Sequence, residues 1–358
     1  MTLYIFNPEH DIALASGLSN FTAPHAARQL RFDLGFLPAL WATDDGVVLV
    51  DDVEWAAKSW KKVRARLNAL GLAGSFKAAN LEFQGRKLQV SRLETLSLEP
   101  WGWNSALCAM LRRMGIDSSL LPSDAQLTHI RQLSHRGTAA RLLPQLQQEG
   151  TIGESFECHA VEEVQSLLHR YGRVVLKAPW SSSGRGLRFV DATLSDHYSG
   201  WLRNLLPNQG SVMVEPYYNK VKDFGMEFEA DGQGGISYCG LSLFHTVNGA
   251  YVGNILATEQ AKTAMLGRYL PAELLESVRQ RIASGLSLGD YRGPFGVDMM
   301  VVAKADGDGF LLHPCVEINL RRTMGHVALA ISPTDDDVRR VMRIDYANDN
   351  YQLIIQRL

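Results

Sequence analysis

The sequence predicts a mixed fold, α/β over the first third of the chain and α+β over the rest, on three observations. Short apolar runs alternate with amphipathic helical patterns in residues 1–122, as in a parallel sheet with crossover helices. From residue 123 onward, helical segments give way to strand-like runs divided by turn glycines, which is typical of antiparallel sheet. Several of these runs carry charged residues. We predict three domains, at residues 1–122, 123–214 and 215–358.

The elements follow from apolar periodicity and from stop signals. In the first domain the predicted strands are TLYIF, GVVLV and KLQVSRLETL. The predicted helices there are NPEHDIALA, VEWAAKSWKKVRARLNALG and WNSALCAMLRRMG. In the remainder, the predicted strands are RVVLK, SVMVEPYY, DFGMEFEA, GGISYCGLSLFHTVNGAYVGNIL, GPFGVDMMVVA and GFLLHPCVEINLRR. The predicted helices are SDAQLTHIRQLSHRGTAARLLPQLQQEG, AVEEVQSLLHRYG, PAELLESVRQRIASGLSLG and the C-terminal DDDVRRVMRIDYANDNYQLIIQRL.

Composition and charge exclude several classes of protein. The net charge is -2, with Lys+Arg 36 against Asp+Glu 38, so no positive field favours a nucleic-acid partner. No stretch approaches the roughly 20 apolar residues of a membrane span, and the N-terminus lacks the pattern of a signal peptide. The cysteines have no metal-ligand spacing, and we expect four small buried side chains in a reduced cytoplasm: Cys108, Cys158, Cys239 and Cys315.

A loop rich in serine and glycine follows the strand that ends at Lys177. Its residues Ser181, Ser182, Ser183, Gly184 and Gly186 are small enough to let backbone N–H groups approach an anion closely. A lysine at the strand end adds a charge for phosphate oxygens. The alternative is a surface hairpin with a solvated lysine.

Two further strands carry polar residues in positions that could face a ligand. In MVEPYY, Pro216 ends the ladder after Glu215 and exposes backbone groups that could bind an adenine edge. In VKDFGMEFEA, Asp223, Glu227 and Glu229 fall on one strand face. The alternatives are an ordinary strand end and a solvated sheet face.

The strongest signal is a pair of apolar strands that contain oxygen ligands. Asp298 interrupts GPFGVDMMVVA, and Glu317 and Asn319 share one face of CVEINLRR, on which Arg321 follows. Carboxylate and amide oxygens of this kind suit Mg²⁺ together with substrate phosphates. The alternative is a structural salt bridge between these acids and the adjacent arginines.

In order and spacing, Lys177 with SSSGRGL, then VEPYY, DFGMEF, GVD and EINLRRTMG resemble the ATP-grasp superfamily over roughly residues 123–330. Within it the chain is most similar to carboxylate–amine ligases of the D-alanine–D-alanine ligase and peptide ligase kind. The resemblance implies an ATP-grasp fold with an N-terminal α/β pre-grasp domain. It makes residues 123–214 a central subdomain with a phosphate lid, and residues 215–358 a C-terminal subdomain with the magnesium site.

The resemblance also implies a role for each matching position. ATP phosphates would be bound by Lys177 and covered by the lid at residues 181–186. The adenine hinge would comprise Glu215, Tyr217 and Tyr218, with Glu227 on the ribose or metal side. Mg²⁺ would be held by Asp298, Glu317 and Asn319, and Arg321 would steady the transferred phosphoryl group. Where many members have a second ATP-contacting lysine, this sequence offers Arg136.

The function expected from these residues is ATP-dependent joining of a carboxylate to an amine through an acyl phosphate, with ADP and phosphate released. Amino acids or peptides are the expected substrates. An ATP-grasp kinase and a non-catalytic ATP-binding protein are the alternatives. A hydrolase is disfavoured because the G-x-S-x-G match at residues 285–289 falls at the end of a predicted helix and not at the strand-to-helix turn of a nucleophile elbow. A homodimer is expected by resemblance alone.

Three features remain outside this scheme. The segment Asn7–Asp11 either lines the acceptor side of the site or forms a locally bonded turn. The tryptophans of EPWGWN suit packing in a core or between domains. His245 could reach the cleft, although a lone histidine on a strand is usually structural.

Overall fold

The computed structural model describes residues 1–43, 46–72, 81–88, 96–181, 186–247 and 250–357, without the side chains of 245–247 and 250. The predicted strand KLQVSRLETL and the lid residues Ser182, Ser183 and Gly184 fall largely or wholly outside them. The same holds for the His245 side chain.

The first domain is built on a parallel sheet. Its strands are β1 (Thr2–Ile5), β2 (Gly46–Leu49), β3 (Glu82–Gln84) and β4 (Ser97–Pro100), in the order β3-β2-β1-β4. Its helices are α1 (His10–Ser16), α2 (His25–Leu34), α3 (Val53–Ala69) and α4 (Ser105–Arg113). Asp52 caps α3 and Asn104 caps α4 with side-chain hydrogen bonds. The α/β prediction is therefore confirmed.

A smaller antiparallel sheet follows, flanked by helices. Its strands are β5 (Phe156–Cys158), β6 (Arg173–Lys177), β7 (Leu187–Asp191) and β8 (Val212–Pro216), in the order β5-β8-β6-β7. The helices are α5 (Asp124–Leu133), α6 (Gly137–Leu146), α7 (Val161–Tyr171) and α8 (Asp196–Gln209). Ser123 and Gln126 form a capping box at the start of α5, so the predicted cap is found. The proposed boundary at 214/215 lies within β8.

The remaining residues form a seven-stranded sheet, β13-β12-β9-β10-β11-β14-β15. The strands are β9 (Lys220–Asp231), β10 (Ile236–Val247), β11 (Ala250–Leu256), β12 (Arg292–Ala303), β13 (Phe310–Asn319), β14 (Arg340–Ala347) and β15 (Asn350–Arg357). The helices are α9 (Glu259–Leu266), α10 (Ala272–Gly285) and α11 (Met324–Ala330). Every pairing recorded in this sheet is antiparallel, as predicted for this part of the chain.

Two predictions are wrong. The C-terminal segment is not a helix but the hairpin β14–β15, because its apolar residues alternate and a turn at Asn348–Asp349 reverses the chain. Cys239 is exposed, whereas the other three cysteines are buried. It lies where the register between β9 and β10 shifts, between Tyr238 and Gly240, and this bulge carries its side chain to the surface. Among the described residues no helix is long and apolar enough to cross a bilayer.

The packing of the first domain positions the site. One apolar core joins Tyr4 and Phe36 of the first domain to Val327 on α11 and to Met342 and Ile355 of the C-terminal hairpin. The carboxyl ends of the parallel strands are thereby held beside one face of the seven-stranded sheet. Because that face is also approached by the smaller sheet, a cleft forms between them.

Candidate functional site

Most of the described site residues predicted from sequence line one cleft of about 750 Å³, whereas Ser181 and Gly186 of the lysine loop do not line it. It lies between β6–β8 of the smaller sheet and the seven-stranded sheet, and Pro8 and Trp101 of the first domain line one end. Ten predicted residues face it: Arg136, Lys177, Glu215, Tyr217, Tyr218, Glu227, Asp298, Glu317, Asn319 and Arg321.

Lys177 and Glu215 form a buried ion pair on neighbouring strands of the smaller sheet. The Lys177 Nζ lies 2.5 Å from Glu215 Oε2, and both side chains are almost wholly buried. Ser155 donates a hydrogen bond to Glu215 Oε1 at 3.2 Å. Because β6 and β8 are adjacent, the lysine loop and the predicted hinge belong to one wall of the cleft. A solvated surface lysine is excluded.

The hinge end carries stacked aromatic and cationic groups. The Arg173 guanidinium carbon lies 3.6 Å from the centroid of the Tyr217 ring, and Phe189 packs edge-on against the same ring. Tyr218 packs against His313, and burial raises the pKa of the Tyr218 hydroxyl. We call this group of rings and its guanidinium the aromatic slot, because such groups can stack on a planar ring.

Arg136 ties the lysine loop to the strand that carries Glu317. Its guanidinium donates to the Ala178 carbonyl at 2.6 Å and to both Glu317 carboxylate oxygens at 2.8 Å. It also donates to the Ser181 hydroxyl at 2.5 Å and the Ser181 carbonyl at 3.2 Å. This set of contacts needs a planar group with several N–H donors, and the single ammonium group of a lysine could not make all of them.

Asp298, Glu317 and Asn319 meet as predicted, because β12 and β13 pair directly. Asp298 is opposite Glu317 in the register, and the Asn319 amide donates to Asp298 Oδ2 at 3.0 Å. Burial raises the pKa of Asp298 to about 8, and the charges of Glu317 and Glu227 act in the same direction. The carboxylate oxygens of Asp298 and Glu317 are donors of the kind that Mg²⁺ prefers, whereas the Asn319 amide oxygen accepts a hydrogen bond from Arg321. Among the described residues no three His, Cys, Asp or Glu side chains group as a metal site.

Among the described residues, Asp298 and Glu317 form no salt bridge with Arg321 or Arg322, which was the alternative to a metal site. Arg321 pairs with Asp11, with N–O distances of 2.7 to 3.1 Å, and donates to Asn319 Oδ1 at 3.0 Å. Arg322 points away from the cleft, where its guanidinium lies 3.7 Å from Glu99 and over the ring of Trp41.

Glu227 is held by the segment that follows Arg322. Thr323 donates its hydroxyl to Glu227 Oε2 at 2.9 Å, and His326 Nδ1 lies 3.0 Å from the same oxygen. Thr323 and His326 also form the capping box of α11. A Cβ at Gly325 would stand 1.8 Å from Glu227 Oε1, so only glycine allows α11 to begin here. Glu229, by contrast, is exposed, in keeping with a solvated position.

The Asn7–Asp11 segment lines the cleft in part. Pro8 and Asp11 face it, whereas Asn7 exchanges hydrogen bonds with the Gly102 backbone and His10 is bonded to Asn104. The side-chain contacts of Asn7, His10 and Asp11 are therefore long-range, although the His10 N–H also donates to the Asn7 carbonyl at 3.1 Å, and a locally bonded side chain is excluded for Asp11.

Sequence reasoning missed a neutral group of cleft residues on β10, β11 and β14. Ser242, Phe244, Asn254 and Ile344 all line the cleft. Asn254 interrupts the apolar run VGNIL, which is the same signal that marked Asp298 on its strand.

No protein-family model matches the sequence, and no curated protein matches it. Solved structures similar to it include N5-carboxyaminoimidazole synthetase from Staphylococcus aureus in complex with ADP, at 13% identity over 86% of this chain and 84% of that chain, TM-score 0.46. A biotin carboxylase–βγ-ATP complex from Campylobacter jejuni is 14% identical over 87% and 78%, TM-score 0.48. A putative ATP-grasp superfamily protein from Archaeoglobus fulgidus is 11% identical over 88% and 100%, TM-score 0.45.

Proposed function

We propose that this chain is an ATP-grasp enzyme that joins a carboxylate to an amine at the expense of ATP. The observation that carries the proposal is the meeting of three elements in one cleft. These are the Lys177–Glu215 wall with its aromatic slot, the Arg136 guanidinium and the paired acids Asp298 and Glu317.

The proposed binding mode places ATP along the cleft. The adenine ring would lie in the slot beside Tyr217 and Tyr218, and Glu215 would face the ribose. Lys177 and Arg136 would contact the phosphates, with the loop of residues 181–186 over them. Asp298, Glu317 and Asn319 would hold Mg²⁺, which when bound would neutralise charge on the phosphate oxygens.

The proposed reaction has two steps. An oxygen of the substrate carboxylate attacks the γ-phosphorus, the bond to the bridging oxygen breaks, and ADP leaves. The amine nitrogen then attacks the acyl carbon, phosphate leaves with the C–O bonding electrons, and the amine loses a proton. Arg321 stands at the end of the metal strand, where its positive charge would favour the pentavalent and tetrahedral oxyanions.

The experiment that tests the proposal measures ADP, phosphate and amide together, with Mg²⁺-ATP and a panel of acids and amines. A ligase yields all three in equal amounts. A kinase yields ADP and a stable phosphoester, and a non-catalytic protein shows only a melting-temperature shift with ATP. The variants Lys177→Ala and Glu317→Gln should abolish turnover, whereas the exposed controls Lys61→Ala and Glu273→Gln should not. Normal activity in either site variant would contradict the assignment.

We further propose that the substrates include an amino acid or peptide, that the protein works in the cytoplasm, and that it forms a homodimer. Four unpaired cysteines support the cytoplasm. Size-exclusion chromatography with light scattering tests the dimer.

A further inference from the structure

The cleft changes character across the seven-stranded sheet. Strands β13, β12 and β9 present charged or strongly polar side chains, namely Glu317, Asn319, Asp298, Asp223 and Glu227. Beyond β9, the cleft side chains are neutral: Ser242, Phe244, Tyr251, Asn254 and Ile344. These belong to one sheet face, because Ser242 pairs with Gly225, Phe244 pairs with Asn254, and Asn254 pairs with Met342, two residues before Ile344.

The opposite wall of this neutral end is apolar and comes from the first domain. Phe6, Leu30 and Trp101 line it, and Met324 at the start of α11 adds to it. Phe6 and Trp101 are packed edge to face, with ring centroids 5.1 Å apart. Trp101 is also packed against Trp41. The wall is therefore a fixed apolar surface, able to accept a hydrophobic group without rearrangement.

The polar atoms of this end are few and already ordered. The Asn254 amide donates to the Ser242 hydroxyl at 2.8 Å, and Tyr251 donates its hydroxyl to Asn254 Oδ1. Asn254 is 1% exposed. These groups can offer a ligand one or two neutral hydrogen bonds, but no positive charge.

Among the residues that the structure describes, the cations of the cleft lie at its other end, with one exception. Five lysines and arginines line the cleft among the described residues: Arg136, Arg173, Lys177, Lys220 and Arg321. Arg136 pairs with Glu317, and Arg173 lies over the ring of Tyr217. Lys177 pairs with Glu215, and Lys220 pairs with Asp223. All four cations lie on the phosphate and hinge side. Arg321 alone borders the neutral end, and the Asp11 carboxylate already balances its charge.

We propose that the acid activated by this enzyme is a compact monocarboxylic acid whose remaining body is uncharged and largely apolar, and that this body occupies the neutral end. This inference rests on the proposed function, because it assumes that the carboxylate to be activated lies beside the phosphate end. Among the described residues, a phosphate or a second carboxylate in the neutral end would meet the carboxylates of Asp11 and Glu227 and a single cation, Arg321, that is already paired with Asp11, so burying its charge there would be costly.

Matched pairs of acids test this directly. ADP release is measured with N-acetylglutamine against N-acetylglutamate, N-acetylmethionine against N-acetylglutamate, and N-acetylphenylalanine against N-acetyl-4-phosphonophenylalanine, each with a common amine. We expect the member with the uncharged side chain to have a kcat/KM larger by about tenfold or more. Preference for the charged member, or no response to any acid with an uncharged side chain, would overturn the inference.

A designed cation gives a second test within the same chain. The variant Ile344→Arg places a positive charge on the neutral end and should narrow or reverse the preference for N-acetylglutamine over N-acetylglutamate. Tyr346 is on the same strand face two residues farther on, exposed and outside the cleft, so Tyr346→Arg should leave the preference unchanged. An unchanged preference in Ile344→Arg, with both variants folded, would contradict the proposal.

The two proposals fail in distinguishable ways. A melting-temperature shift with Mg²⁺-ATP and ADP release only with charged acids would overturn the substrate class and leave the ligase standing. No shift with Mg²⁺-ATP and no ADP release would overturn both.

Discussion

Asp11, at the start of the first helix, and Arg321, beyond the end of the metal strand, form a two-point ion pair across 310 residues of sequence. Both side chains are mostly buried, with 18% and 14% of their surfaces exposed. Arg321 also bonds to Asn319, which bonds to Asp298. The first domain therefore takes part in positioning the proposed metal site.

The variant Asp11→Asn should break the ion pair that links the first domain to Arg321. Loss of a mostly buried ion-pair partner leaves the Arg321 charge uncompensated, and we expect the free energy of unfolding to fall by about 3 kcal/mol. Urea denaturation measures this, with the exposed Asp308→Asn as the control. If Asp11 positions Arg321, kcat should fall more than KM for ATP rises. Equal stability of the two variants would contradict the pairing.

His10, next to Asp11, should make stability depend on pH. Burial lowers the pKa of His10 to about 4, the Arg321 charge acts in the same direction, and the Asp11 charge opposes it. The unfolded chain takes up this proton below about pH 6.5, so between pH 6.5 and 4 it binds more protons than the folded chain does. The stability that neutral His10 provides is therefore complete above pH 6.5 and is lost as the pH falls.

The expected loss is about 3 kcal/mol over that interval. It is read from the difference in free energy of unfolding between the wild type and His10→Gln, measured from pH 7 to 4. The exposed His197→Gln serves as the control and should give a difference that does not change with pH. Parallel pH curves for the wild type and His10→Gln would show that His10 is not held neutral.

Lysine should not be able to replace Arg136 without loss of ATP binding. Arg136→Lys keeps the positive charge but cannot bond at once to the Ala178 carbonyl, Ser181 and both Glu317 oxygens. We expect KM for ATP to rise by about tenfold, since one or two charge-assisted hydrogen bonds are lost. Steady-state ADP release measures it, with Arg64→Lys on an exposed helix face as the control. An unchanged KM would mean that Arg136 does not contact ATP.

Strands β12 and β13, which carry the proposed metal ligands, could be predicted from the sequence. The reason is that side chains alternate between the two faces of a strand with a short, regular period. Asp298 and Glu317 each interrupt an apolar run, and one hairpin connection makes them direct neighbours. The same reasoning found Lys177 and Glu215 but not their pairing. That pairing depends on the order β8-β6-β7, which no local pattern encodes.

What could not be predicted depends on contacts between distant parts of the chain. Asp11 has no periodic relation to Arg321, and the two meet only because the first domain packs on α11 and the C-terminal hairpin. The hairpin itself was predicted as a helix, and its strand period was overlooked. Its alternation of Met342 and Ile344 with polar neighbours was the signal for a strand, and the Asn348–Asp349 pair was the signal for a turn.

The last prediction concerns the turn at Asn348 and Asp349, and it tests directly whether the hairpin is present. Asn348 and Asp349 both have left-handed backbone conformations, with φ of 52° and 59°, and asparagine followed by glycine is the preferred sequence for such a turn. Asp349→Gly should therefore raise the free energy of unfolding by about 0.5 kcal/mol, while Asp349→Val should lower it by about 1–2 kcal/mol. Asp308→Gly, in a loop position without positive φ, should be neutral or destabilising because glycine adds entropy to the unfolded chain. In a helix Asp349→Gly would be destabilising, so the sign of this one measurement distinguishes the hairpin from the helix predicted from sequence.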